Sequence, residues 1–102
     1  MQPFIQLIPE DFKKALDTWE YFLIDVRTAQ EVQIYGEISW TKARYDIYMP
    51  DFSERVLKLP KDQKYLLYCW HGNRTQAARE WMKEQGFSWV CDLAWWIDAW
   101  KY

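Results

Sequence analysis

The stretch KYLLYCWHGNRT, residues 64–75, decides the fold that we expect for this chain. Residues 65–68 form a continuous apolar and aromatic run, which is typical of a strand covered on both faces. A polar turn follows at 71–73, and over residues 75–85 the apolar side chains recur on one helical face until a glycine ends the pattern. A buried strand that passes through a short loop into an amphipathic helix predicts a parallel sheet with helices packed on it.

Strand-like and helix-like patterns alternate in the same way along the rest of the chain. Thr28 and Glu31 have the spacing of a capping box, and Asp51 begins what we interpret as another capped helix. We therefore expect one α/β domain, residues 1–102, with a mostly parallel central sheet of about five strands and helices on both faces. The expected strands are 4–8, 21–26, 41–48, 64–69 and 87–92, and the expected helices are 9–19, 28–35, 51–59, 75–85 and a short one from about Trp95.

The composition of the chain excludes several classes of protein. Half of the 102 residues are hydrophobic, so the chain is able to bury a core and is not of the disordered type. The 13 basic and 15 acidic side chains leave a net charge of −2, which argues against a nucleic-acid partner, because nucleic acid requires a basic face. The chain has neither a signal-peptide pattern nor an apolar run of about 20 residues. We expect a cytoplasmic protein, not bound to a membrane, whose two cysteines are thiols.

Cys69 is the candidate for chemistry because it leaves a buried strand and enters a tight loop that leads into a helix. In open parallel sheets, ligands bind beyond the carboxyl ends of the strands, where loop and helix N–H groups form a positive cradle. Such surroundings favour a nucleophilic thiolate. Arg74, at the end of the loop, would either hold the shape of the loop or supply charge for an anionic substrate.

The spacing of Cys69 and Arg74 separates two kinds of chemistry. Four residues lie between them, one fewer than in the cysteine-dependent protein phosphatases. The shorter loop makes a smaller cradle, poorly matched to three phosphate oxygens and suited to a single sulfur atom on the cysteine. Phosphatase or arsenate-reductase chemistry on a related fold is therefore the disfavoured alternative.

Short segments along nearly the whole chain, residues 4–101, form a recognisable set. They are LIDVR at 23–27 with Glu31, GEI at 36–38, LP at 59–60, YCWHGNRT at 68–75, AA at 77–78, GF at 86–87, and Leu93 with IDAW at 97–100. Taken together, these segments resemble the signatures of the rhodanese family of single-domain sulfurtransferases. The resemblance implies that Cys69 is the catalytic nucleophile. It would accept a sulfane sulfur from thiosulfate or a polysulfide, become a persulfide, and pass the sulfur to a thiol, a protein or cyanide.

The same resemblance assigns roles around the cysteine. The backbone amides of residues 70–74 would stabilise the persulfide anion, and neither a metal nor an organic cofactor is implied. Asp25 and Arg27 are interpreted as a structural hydrogen-bonding pair near the site. The residues of the active-site and anion-binding loop are Trp70, His71, Gly72, Asn73, Arg74 and Thr75.

Other conspicuous side chains are assigned to the core. Cys91 lies inside a predicted strand, where a small buried residue is a better interpretation than a resolving thiol. Eight tryptophans are far above ordinary usage, and helical or strand spacing assigns Trp19, Trp81 and Trp89 to the interior.

Trp70, Trp95 and Trp96 are not explained by periodicity. We expect them to form an aromatic rim around the cysteine, of the kind that binds a partner. Trp95 and Trp96 stand where the resemblance places paired glycines, so the two indoles would either swing outward or narrow the mouth of the active site. This leaves a second hypothesis open, namely a catalytically weak binding module with the same fold.

Overall fold

The computed structural model describes residues 2–70 and 73–94, and these form a five-stranded sheet with four helices. The expected α/β class, with a central sheet of about five strands, is confirmed, and every strand pairing is parallel. The spatial order of the strands is β1-β5-β4-β2-β3. The elements are β1 (Gln6–Leu7), α1 (Pro9–Leu16), β2 (Tyr21–Asp25), α2 (Ala29–Tyr35), β3 (Ala43–Arg44), α3 (Phe52–Leu57), β4 (Lys64–Tyr68), α4 (Asn73–Glu84) and β5 (Trp89–Leu93).

The central strand β4 explains the continuous apolar run of the sequence. Leu66 and Tyr68 belong to the core on one face of the sheet, where α1 contributes Phe12. Leu67 and the following Cys69 belong to the core on the other face, with side chains from α3 and α4. Because successive strand residues point to opposite faces, a strand between two layers of helices needs apolar side chains at every position.

The register of the sheet brings the carboxyl ends of three strands together. Asp25 of β2 lies opposite Tyr68 of β4, and Asp92 of β5 lies opposite Leu67. Neighbours in register on parallel strands point to the same face, so Asp92 shares the face of Leu67 and Cys69. This edge of the sheet is where the site is built.

Two predicted helix starts had different outcomes. The capping box of α2 is present: Glu31 N donates to Thr28 Oγ1 over 3.1 Å, and Thr28 N donates to Glu31 Oε1 over 3.1 Å. The capped start at Asp51 is wrong, because the side chain of Asp51 makes no capping hydrogen bond. Its backbone angles, φ −94° and ψ 9°, are not the extended ones that turn a capping side chain toward the first helical N–H groups.

The assignment of Trp19 to the core is also wrong. Helix α1 ends at Leu16, and Trp19 lies in the following turn with φ 62° and 68% of its surface exposed. Its ring makes an edge-to-face contact with the exposed Trp40, with centroids 5.0 Å apart. The helical spacing continues through residue 19, but the chain has to reverse there to begin β2 at Tyr21.

Two further boundaries differ from the prediction, and one predicted helix is not tested. The ladder of β3 is two residues long, because this edge strand pairs only with the last two residues of β2. Helix α4 begins at Asn73, two residues before the expected start. The helix expected from about Trp95 lies outside the described residues. No helix within 2–70 and 73–94 combines the length and apolar character needed to cross a membrane.

Candidate active site

Cys69 lies immediately after β4, and 1% of its surface is exposed. Its thiol Sγ donates to Thr75 Oγ1, with 3.7 Å between the two atoms. Thr75 is in the first turn of α4 and is completely buried. The chain therefore brings a cysteine from a strand end against a hydroxyl at a helix start, as the strand–loop–helix pattern predicts.

Thr75 continues into a buried polar cluster that contains Asp92. The Thr75 hydroxyl donates to Asp92 Oδ2 over 2.7 Å. Arg79 Nη1 donates to Asp92 Oδ1 over 2.7 Å, and Gln6 Nε2 donates to Asp92 Oδ2 over 2.9 Å. Thr75 and Arg79 are four residues apart on α4, so they share the helix face that packs on this carboxylate.

Asp92 is a residue that sequence reasoning about the site missed. It is completely buried, and burial raises the pKa of its carboxyl group although Gln6, Thr75 and Arg79 all favour the charged form. A signal was present in the sequence, because a carboxylate inside the apolar strand VCDL, residues 90–93, needs partners when it is buried. The sequence did not indicate which partners these are.

Arg74 makes a bidentate ion pair with Glu31 of α2. Its Nη1 and Nη2 atoms donate to Glu31 Oε1 and Oε2 over 2.7 and 2.8 Å. The hydrogen bond from Arg74 holds the pKa of Glu31 at about 2, and the pair in turn raises the pKa of Arg74. The Arg74 guanidinium lies over the ring of Tyr48, with 5.5 Å between Cζ and the ring centroid. In this arrangement the charge of Arg74 is balanced, and the pair ties the start of α4 to α2.

Asp25 and Arg27 form a second ion pair, at the carboxyl end of β2. Arg27 Nη2 donates to Asp25 Oδ2 over 2.7 Å and to the carbonyl oxygen of Gly36 over 2.6 Å. Both side chains are completely buried. Burial opposes the charge of Arg27, but hydrogen bonding and attraction to Asp25 prevail and raise the pKa of the guanidinium. The pair braces the loop after β2 against the end of α2.

Aromatic side chains flank the cysteine loop. Trp70 is half-buried against the core on the α1 face, and its ring is tilted on that of Tyr35 with centroids 4.4 Å apart. Tyr35 and Tyr48 are exposed. Of the expected rim of Trp70, Trp95 and Trp96, the structure thus describes Trp70. The other two lie outside the described residues, as do His71 and Gly72 of the loop.

Cys91 is buried and separated from Cys69. It belongs to the core on the α1 face, whereas Cys69 belongs to the core on the opposite face. Burial raises the pKa of the Cys91 thiol, which donates to the carbonyl oxygen of Gln2 over 3.4 Å. The sheet therefore stands between the two sulfur atoms. Within the described part of the chain, no group of three or more His, Cys, Asp or Glu side chains is arranged to hold a metal ion.

An open parallel sheet with a buried cysteine at the carboxyl end of its central strand, held by a helix start, defines a class of α/β domains with a candidate nucleophile. The family within that class follows from comparison. Residues 8–102 match the model of the rhodanese-like domain, and the chain belongs to that family.

Three similar proteins are informative. A protein named sulfurtransferase from Allochromatium vinosum is 30% identical over 88 residues, which are 86% of this chain and 78% of that protein. The crystal structure of a rhodanese-related protein from Thermoplasma volcanium is 28% identical, with a TM-score of 0.77, over 93% of this chain and 88% of the other. The human single-domain sulfurtransferase is 18% identical, covers 92% and 90% of the two chains, and shares the fold with a TM-score of 0.68.

Proposed function

We propose that this protein is a sulfurtransferase, or a persulfide carrier, that acts through Cys69. The observation that carries the proposal is the position of Cys69 at the end of the central strand, beside the start of α4. Membership of the rhodanese-like family and the name of the Allochromatium relative support the same reaction class. A cytoplasmic, reducing setting would keep the thiol available.

The proposed reaction has two displacement steps at sulfur. The Cys69 thiolate attacks the outer sulfur of thiosulfate or a terminal sulfur of a polysulfide. The S–S bond of the donor breaks, and sulfite or the shortened polysulfide leaves with the bonding electrons, so that Cys69 becomes a persulfide anion. A thiolate or cyanide then attacks the outer sulfur, takes it, and returns Cys69 as a thiolate. No net oxidation and no cofactor enters this cycle.

The surroundings of Cys69 would support the persulfide in a specific way. The loop amides of residues 70–74 would face the new outer sulfur and stabilise its negative charge. Glu31 balances the charge of Arg74, so in this proposal Arg74 holds the loop and the amides provide most of the attraction for the anion. The aromatic side chains of Trp70 and Tyr48 would border the approach of the acceptor.

The test is sulfur loading measured by intact mass. Purified, reduced protein is incubated with thiosulfate or with polysulfide, and the mass spectrum is searched for one added sulfur atom that dithiothreitol removes. We expect loading of the unaltered chain and of Cys91→Ala, and none of Cys69→Ser. Absence of loading in the unaltered chain with both donors, or undiminished loading of Cys69→Ser, would refute the proposal.

The loading experiment, a sulfur-transfer assay and a phosphatase assay together distinguish the alternatives. A binding module without turnover would load poorly and would transfer no sulfur to cyanide or a thiol. Hydrolysis of an aryl phosphate that depends on Cys69 would instead favour phosphatase chemistry.

A further inference from the structure

A continuous path of hydrogen bonds connects Cys69 to a charged pair in the interior. The Cys69 thiol donates to Thr75 Oγ1, Thr75 donates to Asp92 Oδ2, and Arg79 donates to Asp92 Oδ1. Thr75 and Asp92 are completely buried, and Arg79 is 7% exposed. The order of donors and acceptors along this path decides whether the surroundings of Cys69 favour its thiol or its thiolate.

A threonine hydroxyl has one proton to donate and oxygen lone pairs to accept. A carboxylate only accepts, so Thr75 has to point its proton at Asp92, at 2.7 Å. The side of the hydroxyl that faces Cys69 is then an acceptor, which suits an S–H group. A thiolate at the same place would meet the lone pairs of Thr75 instead of its proton.

We infer that Asp92 is a positioning residue that sets the direction of the Thr75 hydroxyl and thereby holds Cys69 as a thiol until a substrate arrives. The inference rests on the proposed function for its biological meaning, since Cys69 is the nucleophile there. The role of Asp92 itself is one step removed, because it contacts Thr75 and not the sulfur. Sulfur transfer then requires the thiol proton of Cys69 to leave to water, while Thr75 turns its own proton from Asp92 toward the thiolate that remains.

The charged groups around the path are compatible with this assignment. Arg79 from α4 and Gln6 from β1 both donate to Asp92 and favour its carboxylate form. Arg74, whose guanidinium interacts electrostatically with Cys69, is balanced by Glu31. His71, in the loop, lies outside the described residues. The variants whose alkylation rates are compared therefore all retain His71.

Asp92→Asn reverses the hydrogen bond without changing the size of the side chain. A guanidinium only donates, so Arg79 will keep the amide oxygen in the place of Oδ1, and the amide NH₂ will take the place of Oδ2. This NH₂ donates to the Thr75 oxygen, and Gln6 turns its own amide oxygen toward it. The Thr75 proton is then available to Cys69 and stabilises the thiolate.

The experiment is alkylation of Cys69 by iodoacetamide, a neutral reagent, followed as a function of pH by mass spectrometry of peptides. For Asp92→Asn we expect about fivefold faster alkylation at pH 7 and a half-maximal rate at lower pH, because the thiolate gains a hydroxyl donor. Arg79→Gln is the matched control, because it breaks the same ion pair but leaves the carboxylate on Thr75. It should not accelerate alkylation.

Removal of the hydroxyl tests whether the effect passes through Thr75. In a Thr75→Val background, Asp92→Asn should change the rate by less than about twofold, because the hydrogen bond it redirects is gone. An undiminished fivefold acceleration there would assign the effect to charge alone and overturn the inference. Slower alkylation of Asp92→Asn would make Asp92 a proton acceptor and would overturn it as well.

Two measurements keep the test valid if a variant loses stability. Cys69 and Cys91 are both buried, so alkylation of either thiol requires an opening of the fold. Cys91 lies on the opposite face of the sheet and reports general unfolding in the same sample, so the ratio of Cys69 to Cys91 labelling is the readout. Thr75→Val on its own provides a second test. It should not slow alkylation of Cys69 if the Thr75 hydroxyl accepts from the thiol. Slower alkylation would refute that direction of the hydrogen bond. Alkylation needs no sulfur donor, so a chain that fails to load sulfur would refute the proposed function and leave this inference standing.

Discussion

Glu31→Gln should destabilise the protein near neutral pH and abolish part of its sensitivity to acid. Glu31 accepts two hydrogen bonds from Arg74 at 2.7 and 2.8 Å, and the two side chains are 24% and 16% exposed. Glutamine retains the capping-box geometry with Thr28, since Glu and Gln both serve at that position. The substitution therefore removes the charge of the pair and replaces the acceptor oxygen that faces Arg74 Nη2 with an NH₂ group.

The expected loss of unfolding free energy follows from the pKa of Glu31, which falls from 4.5 to about 2 in the folded protein. A shift of this size corresponds to an upper bound of about 3 kcal/mol. Because both side chains are partly in contact with solvent, we expect about 1 to 2 kcal/mol. For a chain of this length, each 1 kcal/mol lowers the melting temperature by about 4–8 °C.

The sign of the pH dependence is fixed by the lowered pKa. The folded protein binds the Glu31 proton less readily than the unfolded chain does, so the stabilisation is complete above pH 4.5 and is lost as the pH falls toward 2. The difference in unfolding free energy between the unaltered chain and Glu31→Gln should thus shrink over this window. Urea unfolding at pH 7 and at pH 3 or below measures it.

Glu54→Gln is the matched control, because Glu54 is an exposed glutamate in the first turn of α3. It should change the unfolding free energy by less than about 0.5 kcal/mol. An equal loss of stability for Glu31→Gln at pH 7 and at pH 3 would refute the reasoning, since the loss would then not depend on the carboxylate charge.

Three further predictions concern the core, the ion pair after β2 and the mouth of the site. Leu66→Ala, at a completely buried position of the central strand, should cost about 2–5 kcal/mol in urea unfolding. Arg27→Met should cost about 3–5 kcal/mol, because it leaves the buried Asp25 carboxylate without its cation, and a loss below 1 kcal/mol would contradict a bracing role. Glycine at both Trp95 and Trp96 should increase the rate of sulfur transfer to cyanide, and no gain would argue against a mouth narrowed by these indoles.

The predicted elements that the structure confirms here are specified by residues close together in the sequence. The apolar run at residues 65–68 indicated a strand between two layers, and β4 is buried on both faces. The capping box of Thr28 and Glu31 is present because its atoms lie within one helical turn. Where a pattern ran past the end of an element, as at Trp19, the path of the chain prevailed over the spacing.

The candidate site was predicted in part for the same reason. The strand–loop–helix pattern predicted a cysteine at a strand end, and Cys69 lies there against Thr75. The partner of Arg74 was not predicted, because Glu31 is 43 residues away along the chain. The role of Asp92 was not predicted either, since a carboxylate in an apolar strand indicates a need for partners without naming them.

The sequence by itself determined the order of strands and helices, the α/β class and the candidate nucleophile, Cys69. These depend on periodicity, capping and turn residues, all of which act over a few positions. Only the tertiary structure decided which charges meet. The order of the strands and their register place Asp92 on the same face as Cys69 and beneath the helix that carries Thr75 and Arg79. The direction of one hydroxyl proton beside the sulfur follows from that packing, because a buried carboxylate takes the nearest donors that the fold brings to it.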